Sequence, residues 1–265
     1  MTSQSTLGTA LITGASTGIG AVYADRLARR GYDLILVARN QERLAALAAS
    51  IGTKTGRKVS FLVADLNRKA DLLNIEKVLA TDPSITLLVN NAGVGAVAPL
   101  VSTNVDDMEA LIDLNVKALT RLTYAAAPAF VARGAGAIIQ IASVVGISTE
   151  TLNGVYGASK AFVIALTRSL QHELADKGVR IQTVLPGATA TDFWDTAGLP
   201  VQHLPREIVM TADNLVDAAL SGLDQGELVT IPSLHDKAEW DVYEAARKAM
   251  SGRLSNAVVA PRYAI

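Results

Sequence analysis

The sequence predicts an α/β fold, a doubly wound seven-stranded parallel sheet with helices on both faces. Three observations predict it. Short, almost continuously apolar runs recur along the chain, as strands buried on both faces require. Segments with helical spacing of apolar residues separate these runs, which is the βαβ alternation of a parallel sheet. Glycines and polar side chains then collect just past the carboxyl ends of the runs. In such sheets right-handed crossovers place helices on both faces, and ligands bind at that edge.

The first run, Thr9 to Thr13, ends in Gly14-Ala15-Ser16-Thr17-Gly18-Ile19-Gly20 and leads into a helical pattern. Strand, glycine turn and helix together form a context for phosphate binding. Glycines let the backbone turn sharply and approach a pyrophosphate, and a helix start offers unpaired N–H groups. A plain turn is the alternative. The second run, Leu34 to Ala38, ends at Arg39, with no acidic residue before Glu42. An acid at this place bonds a ribose 2′-hydroxyl, whereas an Arg accommodates a 2′-phosphate. The residue choice therefore favours NADP(H) over NAD(H), unless Arg39 merely opens the following helix, Asn40 to Ser50.

Val59 to Val63 is the third strand, with Asp65 and Leu66 just beyond it. Asp65 could meet an adenine amino group or cap a turn. A helix over Lys69 to Thr81 follows. Leu87 to Val89 is the fourth strand and runs into Asn90-Asn91-Ala92-Gly93. One long helix is expected from Asp106 to Ala132, with Asn115 among apolar neighbours. A buried amide needs partners there. Ala137 to Ile141 is the fifth strand, with Ser143 just past its end. Val179 to Leu185 is the sixth, closed by Pro186-Gly187. Residues 189–211 read as an irregular segment of lid type, because long loops in compact domains are usually functional. A helix over Thr211 to Leu223, a strand over Leu228 to Ile231 and a helix over Ser233 to Leu254 complete the chain. No linker interrupts it, so one domain is expected over residues 9–265 behind a tail of residues 1–8.

The bulk numbers narrow the function. The chain has 265 residues, half of them apolar, with 24 Lys plus Arg against 25 Asp plus Glu. That balance supplies no basic field for nucleic acid or anionic lipid. There is no Cys, hence no thiol nucleophile, thiolate metal site or disulfide. His172, His203 and His235 lack the spacing of metal ligands. The polar start is unlike a signal peptide, and no apolar run approaches the ~20 residues of a bilayer span. A cytoplasmic protein acting on a small molecule is the expectation.

Chemistry concentrates at Tyr156 and Lys160. Four positions apart at the start of an amphipathic run, they share a helix face. A free phenol has a pKa near 10, and a cation within about 4–6 Å brings it down. The pair is therefore expected to be a tuned acid/base.

Taken in order, Thr13-Gly14-x-x-x-Gly18-x-Gly20, Asn90-Asn91-Ala92-Gly93, Asn115, Ser143, Tyr156-x-x-x-Lys160 and Pro186-Gly187 resemble the short-chain dehydrogenase/reductase family. The likeness is to its compact, single-domain Rossmann branch and spans about Thr9 to Ile231. The resemblance implies that Tyr156 is the general acid in carbonyl reduction and the general base in alcohol oxidation. It implies that Lys160 tunes Tyr156 and bonds the nicotinamide ribose, that Ser143 holds the substrate oxygen, and that Asn115 positions a water near Lys160. Gly14, Ser16, Thr17, Gly18, Ile19, Gly20, Arg39, Asp65, Leu66, Asn91, Ala92 and Gly93 would line the cofactor. Pro186, Gly187, Thr189 and Thr191 would lie near its carboxamide.

The expected reaction is NADP(H)-dependent hydride transfer with a ketone, an aldehyde or a secondary alcohol. An NAD-linked alcohol or sugar dehydrogenase is the runner-up, and a dinucleotide sensor without chemistry is a third reading. Val145, Phe193 and Trp194 are expected at the substrate together with Ser143 and Tyr156, as apolar walls or lid. A homo-oligomer, dimer or tetramer, is expected because Ala158, Ala161 and Ala165 permit close helix approach.

Overall fold

A computed structural model describes residues 7–263. Of the expected tail over residues 1–8, residues 1–6 lie outside the described residues. The chain divides into two compact units, Met1–Pro232 and Ser233–Ile265, where the sequence reads as one domain over 9–265.

The first unit alternates strand and helix. β1 (Thr9–Thr13), α1 (Gly18–Arg29), β2 (Asp33–Ala38), α2 (Gln41–Thr55), β3 (Val59–Val63), α3 (Lys69–Thr81) and β4 (Ile85–Asn90) form its first half. The second half begins with α4 (Val105–Ile112) and α5 (Leu119–Arg133), joined by the π-helical turn Asp113–Ala118. β5 (Gly136–Ile141), α6 (Gly154–Glu173) and β6 (Val179–Val184) follow. Next come the short β7 (Thr189–Ala190), α7 (Phe193–Ala197) and β8 (Met210–Thr211). α8 (Ala212–Asp224) and β9 (Val229–Thr230) close the unit.

Seven strands form one parallel sheet in the order β3-β2-β1-β4-β5-β6-β9. The order reverses between β1 and β4, which opens a crevice beyond their carboxyl ends. Alternate residues of each strand face opposite layers. Ile12, Leu34 and Leu36 pack with Leu27 of α1, Leu44 of α2 and Leu215 of α8. Leu11, Ile35 and Val37 pack with Ile75 of α3, Phe130 of α5 and Leu170 of α6. Each such fully buried aliphatic side chain contributes roughly 1.5–3 kcal/mol of transfer free energy. The continuous apolar runs thus commit the strands to the middle layer and turn their carboxyl ends toward the crevice.

Three elements differ from expectation. The long helix runs from Val105 to Arg133, but its middle is π-helical over Asp113–Ala118. Asn115 sits in this wider turn. Such turns are frequent at functional sites. The segment 189–211, expected to be irregular, holds α7 and a parallel β7–β8 pair that ties its two ends together. The last strand covers only Val229–Thr230.

The second unit contains α9 (Lys237–Ser251), capped by the Asp236 side chain, which accepts from Ala238 N. Trp240 and Tyr243 meet on it with ring centroids 5.2 Å apart. None of the described helices is long and apolar enough to cross a membrane.

Candidate active site

The turn after β1 is built for close approach. Gly14 and Gly18 have φ of 65° and 54°, a left-handed conformation that a Cβ disfavours. A Cβ on Gly20 would lie 2.3 Å from the Gly14 carbonyl oxygen, so only glycine lets α1 start against the turn. Ser16, Thr17, Gly18 and Ile19 line this turn half-buried. Thr17 makes no side-chain cap, and the first turn of α1 carries no acidic residue. Its leading N–H groups and the positive dipole end therefore suit an anion. Asn91 braces the turn from β4, its Nδ2 donating to the carbonyls of Thr13 (2.9 Å) and Gly14 (3.1 Å). Thr13 Oγ1 in turn accepts from the backbone N–H of Asn91 and Ala92. These contacts hold the ends of β1 and β4 together at the switch point. They leave a backbone cradle that a dinucleotide pyrophosphate fits.

Arg39 follows β2 and is exposed. Asp65 spends its Oδ1 on Asn67 N at 3.0 Å, a local turn contact. Leu66 is buried in the core layer of α3 rather than facing outward. The backbone at these two positions still follows the end of β3.

The four expected catalytic residues are all buried: Asn115 (1% exposed), Tyr156 (5%), Lys160 (6%) and Ser143 (8%). Asn153 caps α6, its Oδ1 accepting from Val155 N, and so starts the helix two residues before Tyr156. Ser143 leads into a 3-10 turn over Val144–Gly146, and its Oγ donates to Pro186 O at 3.2 Å. A Cβ on Gly146 would come 2.8 Å from the Lys160 backbone carbon, so this glycine lets the turn dock on α6. The docking sets the Ser143 hydroxyl beside Tyr156, where it acts to lower the phenol's pKa. Pro186 and Gly187 close β6 at the same place, and Thr189 Oγ1 donates back to Gly187 O.

Asn115 holds the loop after β4. Its Oδ1 accepts from Val94 N (3.0 Å), and its Nδ2 donates to Val94 O (2.8 Å) and to Ser159 Oγ (3.2 Å) on α6. A Cβ on Gly93 would lie 3.0 Å from Asn115 Oδ1 and 3.5 Å from Lys160 Nζ, which places both polar ends beside Gly93.

Lys160 Nζ donates to Ile141 O at 3.0 Å and lies 5.9 Å from the centre of the Tyr156 ring. Burial pushes the Tyr156 phenol up to about 12, with the Ser143 hydrogen bond acting weakly the other way. Burial likewise brings the Lys160 ammonium down to about 8. Burial outweighs the softening of the phenol expected from the lysine. Desolvation dominates, favouring the neutral form of each group, and the ammonium is turned to a backbone carbonyl. The resting phenol holds its proton.

Apolar walls adjoin the phenol. Val145, Ala96 and Leu111 are buried against Tyr156, with Val94, Leu152 and Phe193 partly buried at the edge. The Phe193 ring, at the start of α7, stands 5.8 Å from that of Tyr156. A Cβ on Gly95 would be 2.2 Å from Phe193 Cζ, so the ring occupies space that only glycine leaves. Trp194 meets Phe193 edge-on at 5.5 Å, and its Nε1 donates to Thr189 O at 2.9 Å. Thr191 packs on the glycine turn, its Cγ2 2.9 Å from where a Cβ of Gly18 would be. Gly95, Gly146 and Asn153 have roles that the sequence did not signal, because each acts through a neighbour remote along the chain.

The fold and site define a short-chain type of dinucleotide oxidoreductase. A profile described as short chain dehydrogenase matches residues 8–199. A solved structure of a short-chain dehydrogenase from Sphingobium yanoikuyae, in complex with NADPH, is 50% identical with a TM-score of 0.95, covering 97% of this chain and 100% of that one. The bulky-bulky ketone specific alcohol dehydrogenase from Comamonas testosteroni is 43% identical with a TM-score of 0.90, over 98% and 99% of the two chains. Sulfoacetaldehyde reductase 2 of Chromohalobacter salexigens is 40% identical over 187 residues, 69% of this chain and 73% of that protein. The chain belongs to the short-chain dehydrogenase family and is an oxidoreductase of that type.

Proposed function

We propose that the protein is an NADP(H)-dependent oxidoreductase that reduces a ketone or aldehyde, or oxidises the matching secondary alcohol, with Tyr156 as general acid/base. The observation that carries this reading is the burial of Tyr156, Ser143 and Lys160 together, beside an apolar wall and beyond the sheet's carboxyl edge. When bound, the nicotinamide supplies or accepts the hydride. Tyr156 Oη gives its proton to the carbonyl oxygen in reduction. The raised phenol pKa keeps that proton in place at neutral pH, the form reduction requires. Ser143 Oγ holds the same oxygen and stabilises charge as it develops. Lys160, while charged, offsets the phenolate that Tyr156 becomes. Asn115 fixes the loop carrying Gly93 and Val94, so the floor beside Lys160 does not shift.

Arg39 supports the 2′-phosphate form of the cofactor, as does the NADPH held by the Sphingobium yanoikuyae relative. The walls formed by Val145, Leu152 and Phe193 support an apolar substrate. The Comamonas testosteroni relative is a bulky-bulky ketone specific alcohol dehydrogenase, and we extend that substrate class to this chain. A cytoplasmic homo-oligomer belongs to the same reading, supported by the small residues Ala158, Ala161 and Ala165 on α6. NADPH consumption with a panel of small and bulky ketones tests the proposal. Turnover with bulky ketones is expected, and a preference for NADH over NADPH would overturn the cofactor part.

A further inference from the structure

We infer that Arg43 is a second recognition residue for the adenosine 2′-phosphate, and that Asp192 on the lid occupies it until the phosphate arrives. The inference rests on the NADP(H) reading above. Arg43 lies in the first turn of α2, and its backbone N–H is held by Asn40 Oδ1 at 2.9 Å, the N-cap contact. That fixes the residue one helical turn beyond Arg39. Its guanidinium Nη1 donates to Asp192 Oδ2 at 3.1 Å, a contact between residues 149 positions apart.

Asp192 belongs to a run in which successive side chains meet different walls of the crevice. Thr191 packs on Gly18 of the glycine turn, Asp192 pairs with Arg43, and Phe193 fills the space beside Gly95 against Tyr156. Neighbouring Cα atoms are 3.8 Å apart. Arg43 therefore flanks the crevice next to the pyrophosphate turn, on the side of β2, where the adenosine ribose of a dinucleotide lies. The pair is also easily exchanged. The side chains of Arg43 and Asp192 are 55% and 63% exposed, and such pairs are weak and salt-screened. A phosphate brings up to two negative charges and three acceptor oxygens, and binds a guanidinium in bidentate fashion. It displaces a single exposed carboxylate. Asp192 is then released next to Phe193, so the same event loosens the ring lying on the catalytic phenol.

The test separates this inference from the reading beneath it. NADP⁺ and NAD⁺ affinities are measured by titration calorimetry for the wild type, Arg39→Leu, Arg43→Leu and Asp192→Asn. Arg43→Leu is expected to weaken NADP⁺ about tenfold and leave NAD⁺ unchanged. Asp192→Asn is expected to tighten NADP⁺ about two- to threefold, again without effect on NAD⁺. If Arg39→Leu lowers the NADP⁺/NAD⁺ preference and Arg43→Leu does not, the inference falls and the cofactor reading stands. If neither variant lowers it, the inference falls together with the role given to Arg39, and the cofactor reading itself falls if the wild type binds NAD⁺ more tightly than NADP⁺. An unchanged or weaker NADP⁺ affinity in Asp192→Asn overturns the displacement. A second readout needs no nicotinamide. Trp194 and Trp240 are the only tryptophans, so Trp240→Phe leaves Trp194 as sole reporter beside Phe193. Adenosine 2′,5′-bisphosphate is expected to shift its emission and adenosine 5′-diphosphate to leave it in place. Equal responses to the two would overturn the coupling.

Discussion

Lys160 is the residue whose chemistry differs most from what its spacing alone implies. An ammonium placed at i+4 from a phenol is expected to lower the phenol's pKa, yet in the fold both are stripped of water. Desolvation then outweighs attraction, and the ammonium takes the Ile141 carbonyl as its partner. Two outcomes follow at this scale. The folded-state pKa of Lys160, about 8, lies below its usual 10.5. Between those values the unfolded chain binds the extra proton, so stability rises with pH across about 8 to 10.5. The full penalty is present below 8. Lys160→Met is therefore expected to stabilise the cofactor-free protein by about 1–3 kcal/mol at pH 7, with the gain shrinking toward pH 10. Urea unfolding at both pH values checks this. Reductive turnover is expected to fall as pH rises through about 8, where the ammonium that supports the nascent phenolate loses its charge. A pH–rate profile with NADPH as reductant measures it.

At the scale of elements, glycines decide how close the parts of the site come. Gly20→Ala places a methyl group 2.3 Å from the Gly14 carbonyl, a backbone contact with no soft side to yield. It is expected to cost about 1–3 kcal/mol of stability and to weaken dinucleotide binding, both visible in thermal melts with and without NADPH. The lid behaves differently because its contact at Gly95 is the far end of a side chain. Phe193→Ala removes the ring that narrows the space beside Tyr156. The ratio of kcat/KM for a ketone with two large substituents to that for acetone is expected to rise. A fall in that ratio would show that the ring grips the substrate instead of limiting its size. The π-helical turn at Asn115 acts at this scale too. It presents one amide to both backbone polar groups of Val94 and still reaches Ser159.

For the molecule as a whole, the seven strands and their parallel sheet were legible because the strands are nearly continuous apolar runs ending in polar residues, whereas their order was not read from the sequence. Gly14, Arg39, Asn91 and Ser143 could be placed at one edge from that pattern alone. The π turn was not legible, since Asp113–Ala118 keeps helical apolar spacing. Nor was α7, whose five residues are too few to show a period. The pairing of Arg43 with Asp192 spans 149 positions and leaves no local trace. The directions of the Tyr156 and Lys160 pKa shifts depend on burial, which two residues cannot reveal. The oligomer expected from the small residues of α6 would give a light-scattering mass at a multiple of the chain mass. The proposed reaction turns on one buried phenol that would donate a proton while hydride moves. The measurement that bears on it most directly compares Tyr156→Phe with the wild type in both NADPH affinity and single-turnover reduction of a ketone. The account expects unchanged affinity and a loss of about 10²- to 10⁴-fold in rate. A variant that binds NADPH and still reduces the ketone at the wild-type rate would contradict it.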